Sequence, residues 1–409
     1  MKNVKSIIKP ELLSPAGDWP SLMAAVASGA DSVYFGVKGF NMRHQSSNFD
    51  ILELKKVMGY LHEHLKKGYL TLNTIAMTDD ILKIEKVLKE AKKACVDAVI
   101  LWDMAVLELA RKIGLPIHLS TQASVANKEA IKCYARLGVR RIVLARECSL
   151  RDIQRIIKEM AQEKIRCEIE TFIHGAMCVS ISGRCFMSLY SHGASANKGQ
   201  CIQPCRREFY IQDVDKETDF IIGKDYVLSP KDLCTIDFID ELVASGIHAF
   251  KIEGRMRSPE YVRVVTSVYR QAIDAYYEKK CTIEVKEKLK KELRSVYNRG
   301  FSTGFYFGRP DEAWSQGLEH LYEKIFVGQV TRFFKKISVA EVRIYSGTIQ
   351  KGDDILFMGK RSLSEIVTVK EMRKEDQPID RAIKGDIIGI QLPFTVKPKD
   401  KVFLWKRRN

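Results

Sequence analysis

"YLTLNTIAMTDDILKIEKVLKEAKKACVDAVILWD", residues 69–103, carries two different hydrophobic periods. YLTLN (69–73) and AVILWD (98–103) are short apolar runs, each ending on a polar residue. Between them ILKIEKVLKEAKKAC carries apolar residues near i, i+3, i+4 and i+7, the spacing of one helix face. Strand, amphipathic helix and strand in that order make a βαβ unit, whose two strands run parallel.

The unit repeats outward in both directions. ELLSPAG (11–17), DSVYFGV (31–37), IHLSTQ (117–122), RIVLARE (141–147), EIETFIHG (168–175) and AFKIEGR (249–255) complete a set of eight apolar runs. Helical patterns such as ILELKKVMGYLHEHLKK lie between several of them. Eight alternations predict an α/β fold of the (β/α)8, TIM-type barrel class. A doubly wound sheet is the alternative, but no GxGxxG turn follows the first run.

One interval breaks the rhythm. Residues 176–248, between runs seven and eight, are too many for one connecting helix, and they hold five of the ten cysteines: Cys178, Cys185, Cys201, Cys205 and Cys234. An insertion there enters at the C-terminal mouth of a barrel, where such enzymes build their sites. After run eight, Ser258 and Pro259 read as the N-cap and first position of a long helix. Its apolar face is Tyr261, Val264, Val265, Val268, Tyr269, Ala272 and Ile273.

From about residue 321 the pattern changes to alternating apolar and polar residues with Gly-Asp turns, which predicts a small antiparallel β-barrel. The expected organisation is therefore a barrel domain over 1–320, with the cysteine-rich insert and trailing helices, followed by a basic domain over 321–409. The latter holds 19 lysines and arginines against 11 aspartates and glutamates, a surplus of eight out of the chain's net +16. A basic surface of this kind attracts polyanions, nucleic acid first among them.

The composition, 45% hydrophobic and 29% charged over 409 residues, is that of a soluble globular protein of two or three domains. No apolar run is long enough to span a bilayer. The opening MKNVKSIIKPELL lacks the apolar core of a signal peptide, so a cytoplasmic protein with reduced thiols is expected.

Clustered cytoplasmic cysteines point to metal or catalytic chemistry. Cys201 and Cys205 form the one pair with zinc-knuckle spacing, whereas an iron–sulfur cluster tolerates irregular spacing. On spacing alone an iron–sulfur cluster, a zinc ion, and buried or redox-active thiols all stay open. His174, at the end of run seven, is a candidate for a substrate or proton role, with a packed core histidine as the alternative. Glu170 lies on the face of Phe172 and needs a partner if buried. Lys251, Glu253 and Arg255 share one face of run eight by the two-residue period, so they are expected at the mouth, where they suit an anionic substrate. A structural salt-bridge network is the competing reading. Asn73, Asp103, Gln122 and Arg146, at or near the ends of other runs, are weaker candidates.

The run ETFIHGAMCVSISGRCFMS (170–188) resembles the signature of the U32 peptidase family. The likeness extends to ELLSPAG, GADSVYFGV, KIEGRMRSPEYV and TGFYFG, and so covers essentially the whole barrel. The segment after it resembles the elongation-factor-Tu-like β-barrel attached to several members. The family's name records collagenase activity, but its branches include proteins that hydroxylate tRNA to 5-hydroxyuridine, ribosomal RNA, and quinone precursors. The resemblance thus implies a tRNA-hydroxylating enzyme with a 4Fe–4S cluster, prephenate as co-substrate supplying the hydroxyl group, tRNA as partner, and the iron–sulfur assembly machinery to load the cluster. Carried over by position, it implies Cys178, Cys185, Cys201 and Cys234 as ligands, with Cys205 as a fifth thiol. Glu170, His174 and Glu253 then become the candidate catalytic groups, and Arg184, Lys251 and Arg255 the candidate substrate-binding groups.

Two rival classes remain. A peptidase has neither a GxSxG elbow nor an HExxH motif here, and LHEHL (61–65) lacks the spacing; Cys178 paired with His174 is the surviving nucleophile–base pair. A non-enzymatic RNA-binding accessory protein is the other.

Overall fold

The computed structural model describes residues 9–44, 46–207, 209–212, 219–222, 230–308, 321–359 and 362–407, with side chains between 208 and 229 outside the description. Every predicted apolar run contributes a strand. In chain order these are β1 (Glu11–Ala16), β2 (Ser32–Gly36), β3 (Lys67–Thr71), β4 (Ala98–Leu101), β5 (Ile117–Leu119), β6 (Val139–Val143) and β7 (Glu168–Ala176). The insert then adds β8 (Phe209–Gln212), β9 (Asp219–Ile222) and β10 (Asp232–Cys234), before β11 (Ala249–Ile252) supplies the eighth barrel strand.

Neighbours β1 to β7 pair in parallel, and β11 pairs in parallel with both β7 and β1. That second pairing closes the barrel and excludes an open doubly wound sheet. The helices lie outside. In the helix Ile81–Lys93 the buried residues Ile84, Val87, Leu88 and Ala91 follow helical spacing, and in Pro259–Tyr277 the whole predicted apolar face is buried. Ser258 stands at the N-cap of that second helix, although its side chain makes no capping bond. Burying one such aliphatic side chain stabilises by roughly 1.5–3 kcal/mol.

The barrel interior is part apolar and part ionic. Leu13, Tyr34, Tyr69, Ala98 and Ile100 form its apolar cluster. Beneath them runs a ladder of buried charges: Arg141 to Glu11 at 2.8 Å, Arg141 to Glu170 at 3.4 Å, and Glu170 to Lys251 at 2.8 Å. Each charge of this ladder has an opposite partner, as low dielectric demands.

From Tyr322 onward, eight strands form an antiparallel sheet that curls into a half-barrel around Val327, Val342, Ile355, Phe357, Ile388 and Val402. It meets the first domain through Lys324–Glu260 (2.7 Å) and Arg263–Glu365 (3.6 Å), and Trp405 packs on the barrel's core. Among the described residues no helix is long and apolar enough to cross a membrane.

Candidate functional site

At the C-terminal mouth of the barrel lies a cavity of about 370 Å³. Its floor is the ends of the barrel strands and its wall is the insert. β7 overruns the barrel, and the insert leaves it at Ala176 and returns through β10, which pairs antiparallel with the same end of β7. Backbone contacts pin the insert down: the N–H of Ser182 donates to Glu147 (3.1 Å) and the N–H of Ile75 donates to the Asn197 carbonyl (3.2 Å).

Four thiols line this cavity: Cys178, Cys185, Cys201 and Cys205. Cys205 is close enough to the other three for their thiolates to oppose its ionisation, and burial is the larger reason its thiol is pushed up to about 11. Cys185 accepts the backbone N–H of Met187 (3.3 Å), and Cys201 accepts the Ser188 hydroxyl (3.8 Å). The donor set is soft and sulfur-only, and it fits an iron–sulfur cluster or a zinc ion in kind. No three of its members already stand at metal-holding distances among the described residues. Cys234, the fourth ligand implied by the resemblance, is elsewhere. It is buried beneath the helix Pro259–Tyr277, where it accepts from the Tyr269 hydroxyl (3.8 Å), and it does not line the cavity. The strand β10 that carries it is paired across to His174, which turns it toward the helix layer.

The other side of the cavity is cationic. Arg43, Arg146, Arg206, Lys251, Arg255 and Arg257 line it, against one carboxylate, Glu253. Glu253 meets Arg43 at 3.1 Å and Arg146 at 3.9 Å. Burial works to raise its pKa, but Arg43, Arg146 and Arg255 overcome that and hold the carboxyl at about 2. Lys251 is engaged by Glu170 from below, and burial draws its ammonium down from its ordinary range.

Arg255 differs from the rest. It is buried, yet its hydrogen bonds go to neutral oxygens: the Thr71 hydroxyl (2.6 Å) and the Asn41 side chain (3.1 Å). Among the described residues it makes no ion pair, and burial pushes its pKa down to about 10. Room for its guanidinium comes from Gly36, where a Cβ would stand 2.8 Å from Nη1.

The expected run Lys251, Glu253, Arg255 is thus assembled at the mouth, although β11 ends at Ile252 and the last two sit in the loop beyond. Asn73, Gln122 and Arg146 also line the cavity. Asp103 does not; it caps the helix Met104–Ile113.

Besides Cys234, three expected site residues lie outside the cavity. Glu170 is fully buried in the ionic ladder inside the barrel. His174 faces the helix layer, with Nδ1 3.3 Å from the Tyr269 hydroxyl and its ring against Phe301 and Tyr261. The reason is a bulge. Phe172 pairs with Lys251 but His174 pairs with Ile252, so β7 carries one extra residue and the two-residue alternation breaks. Gly175, at φ +105°, follows directly, and a Cβ there would meet the Glu253 carbonyl oxygen at 2.4 Å. Burial, aided by Arg257, depresses the His174 pKa to about 3, so it is a neutral core histidine. His174 does not line the cavity, so the pair Cys178–His174 is not formed; that thiol instead contacts Ser180 (3.0 Å). Arg184 is exposed on the outside of the insert, bonded to Ser124 (3.0 Å) and over the Trp102 ring.

Arg43, Arg206 and Arg257 were not anticipated. Arg43 comes from a loop without a periodic pattern. Arg206 directly follows Cys205, and Arg257 stands two residues past Arg255, so adjacency to marked residues was the signal available for both.

Comparison with known proteins places this geometry. The Peptidase family U32 model matches residues 17–316, and Elongation factor Tu domain 2 matches residues 338–394. A collagenase of Porphyromonas gingivalis is 39% identical, with 97% of this chain and 98% of that protein aligned. The tRNA hydroxylation protein P1 of Bacillus subtilis is 34% identical over 91% of this chain and 90% of its own length. A 23S rRNA 5-hydroxycytidine synthase of Escherichia coli is 36% identical over 66% of this chain and 40% of its own length. With its barrel matched nearly end to end, the chain belongs to Peptidase family U32.

Proposed function

We propose that this protein is an RNA-modifying enzyme that hydroxylates a nucleobase of tRNA, using an iron–sulfur cluster held at the mouth of the barrel and a small anionic hydroxyl donor of the prephenate type. The observation that carries the reading is the make-up of one cavity: four thiols on one side and six cations against a single carboxylate on the other. Relatives named for tRNA and rRNA hydroxylation support the reaction class.

Cys178, Cys185 and Cys201 would hold the cluster, with Cys205 completing the set by its place in the same cavity. A cluster of this kind supplies one-electron redox chemistry. Arg255 offers a planar fork to a carboxylate of the donor, and Lys251 adds charge beside it. Glu253, ionised and clamped, keeps Arg43 and Arg146 oriented toward the cavity.

The peptidase reading rests on the collagenase relative. The pair it would need, Cys178 with His174, is not formed, because His174 is buried on the other side of β7.

The test is mass spectrometry of nucleosides from digested tRNA of a deletion strain complemented with the wild-type gene, together with iron and sulfide analysis of anaerobically purified protein. Restored hydroxylated nucleoside and about four iron atoms per chain, the content of one cubane, are expected. A colourless zinc-loaded preparation that restores nothing and cleaves peptides would return the peptidase reading to first place.

A further inference from the structure

The outer lip of the cysteine insert carries large apolar side chains in the open. Ile181 is 66% exposed, Phe186 62% and Tyr190 87%, with Val179 and Leu189 beside them in sequence and also exposed. Phe186 and Tyr190 stand edge to face, their ring centroids 6.4 Å apart. Exposed apolar groups this close together mark a contact surface rather than scattered exceptions. The patch is continuous with the cavity: Val179 lines it, and so do Cys185 and Met187 on either side of Phe186.

Its charge selects the occupant. Residues 176–207 hold four lysines and arginines and no aspartate or glutamate. An aromatic segment without carboxylates of its own, on the rim of a cationic cavity, suits a ligand with both a π-face and a negative backbone; Glu147, which reaches this segment, is taken up by Ser182. A double helix hides its bases, so the matching form is an unpaired RNA nucleotide. Chemistry on a base inside a narrow cavity also requires that base to leave its stack.

We propose that Phe186 and Tyr190 form a stacking platform for unpaired RNA bases at the lip of the cavity, holding the nucleotides that flank the one entering it. The proposal deepens the function proposed above and rests on it.

The experiment uses the full-length protein, purified anaerobically, with two fluorescent probes: an RNA hairpin bearing a single-stranded loop, and a blunt RNA duplex of equal length. Phe186→Ala and Tyr190→Ala are each expected to weaken hairpin binding by roughly five- to a hundredfold, the range for losing one stacked base, and to leave duplex binding unchanged. Tyr190→Trp retains the π-face and is expected to keep the affinity. Both side chains are exposed, so iron content and thermal midpoint stay at wild-type values. Unchanged hairpin affinity in both alanine variants would overturn the platform while leaving the hydroxylation reading in place. So would equal loss on hairpin and duplex, or a change confined to self-association, which would make the lip a protein contact. Wild-type protein that binds neither RNA and restores no hydroxylated nucleoside would instead bring down the underlying reading.

Discussion

Arg255 is a buried cation whose hydrogen bonds go to neutral oxygens, while the cavity's carboxylate is taken up by Arg43 and Arg146. Burial already costs it basicity, and an incoming carboxylate would restore what desolvation removes. Arg255→Lys keeps the charge and loses the planar fork. Losing a charged hydrogen bond costs about 1.5–3 kcal/mol, so affinity for the anionic donor should fall roughly ten- to a hundredfold. In a complemented deletion strain this appears as reduced hydroxylated nucleoside in digested tRNA, with iron content unchanged in the purified variant. Full modification by the variant would remove Arg255 from the site. His174 makes a prediction of the opposite kind, about stability alone. Its folded pKa, about 3, lies below its ordinary 6.5. The folded state therefore refuses a proton that the unfolded state accepts. The contribution is complete above pH 6.5 and is lost as pH falls toward 3, by at most about 1.4 kcal/mol per pH unit. Replacing it should flatten that window. In His174→Phe the Tyr269 hydroxyl still donates to the Ile173 carbonyl and accepts from Thr235 N–H, so the bond network survives. The urea midpoint of the variant should drop less between pH 7 and pH 5 than that of the wild type. Equal drops would show that His174 is not held neutral.

Among the elements, β7 and the insert it launches decide what the sequence could and could not tell. The eight barrel strands were legible because each is a short apolar run between polar ends, and the helices because their buried faces repeat at helical spacing. The mouth was legible at Lys251, Glu253 and Arg255, since three charges in alternate positions cannot all face the helix layer. The bulge between Phe172 and His174 was not legible. A one-residue slip in pairing leaves no trace in hydrophobic period, yet it moved His174 out of the site. Glu170 misled for a related reason: facing inward in a barrel means either the mouth or the ionic ladder below it, and depth is set by register, not by pattern. Cys234 and Cys205 were separable only in three dimensions. Because Cys205 shares the cavity with three other thiols and Cys234 accepts from Tyr269 behind β7, Cys205→Ala is expected to lose iron and Cys234→Ala to keep it. Iron and sulfide analysis of the two anaerobic preparations decides. The reverse result would mean that loading draws β10 forward and frees its thiol for the cluster.

Across the whole molecule the thiol- and cation-lined cavity and half of the surplus charge lie in different domains. In the function proposed above the barrel mouth does the chemistry, and the basic segment 321–409 is the candidate for holding the RNA. Removing residues 321–409 is a poor test of that division. Deletion would uncover the barrel core beneath Trp405 and strip buried Glu260 of Lys324, so lost RNA binding would report damage as readily as lost contacts. The turn between the strands Tyr322–Phe334 and Val339–Ile344 offers a cleaner probe. Lys335 and Lys336 are exposed there and make no ion pair among the described residues, and Arg332 lies over the exposed Phe334 ring on the same tip. Cations beside an open aromatic ring suit a phosphate backbone with accessible bases. The double variant Lys335→Glu, Lys336→Glu touches no core residue, so its thermal midpoint should match the wild type. If each lysine neutralises one phosphate, tRNA affinity falls and the slope of log affinity against log salt becomes shallower by about 1.4–1.8, the counterion release of two contacts. Fluorescence anisotropy across a salt series measures both. An unchanged slope would take this tip out of the RNA footprint and leave the cationic mouth, with its exposed aromatic lip, as the surface that holds the RNA.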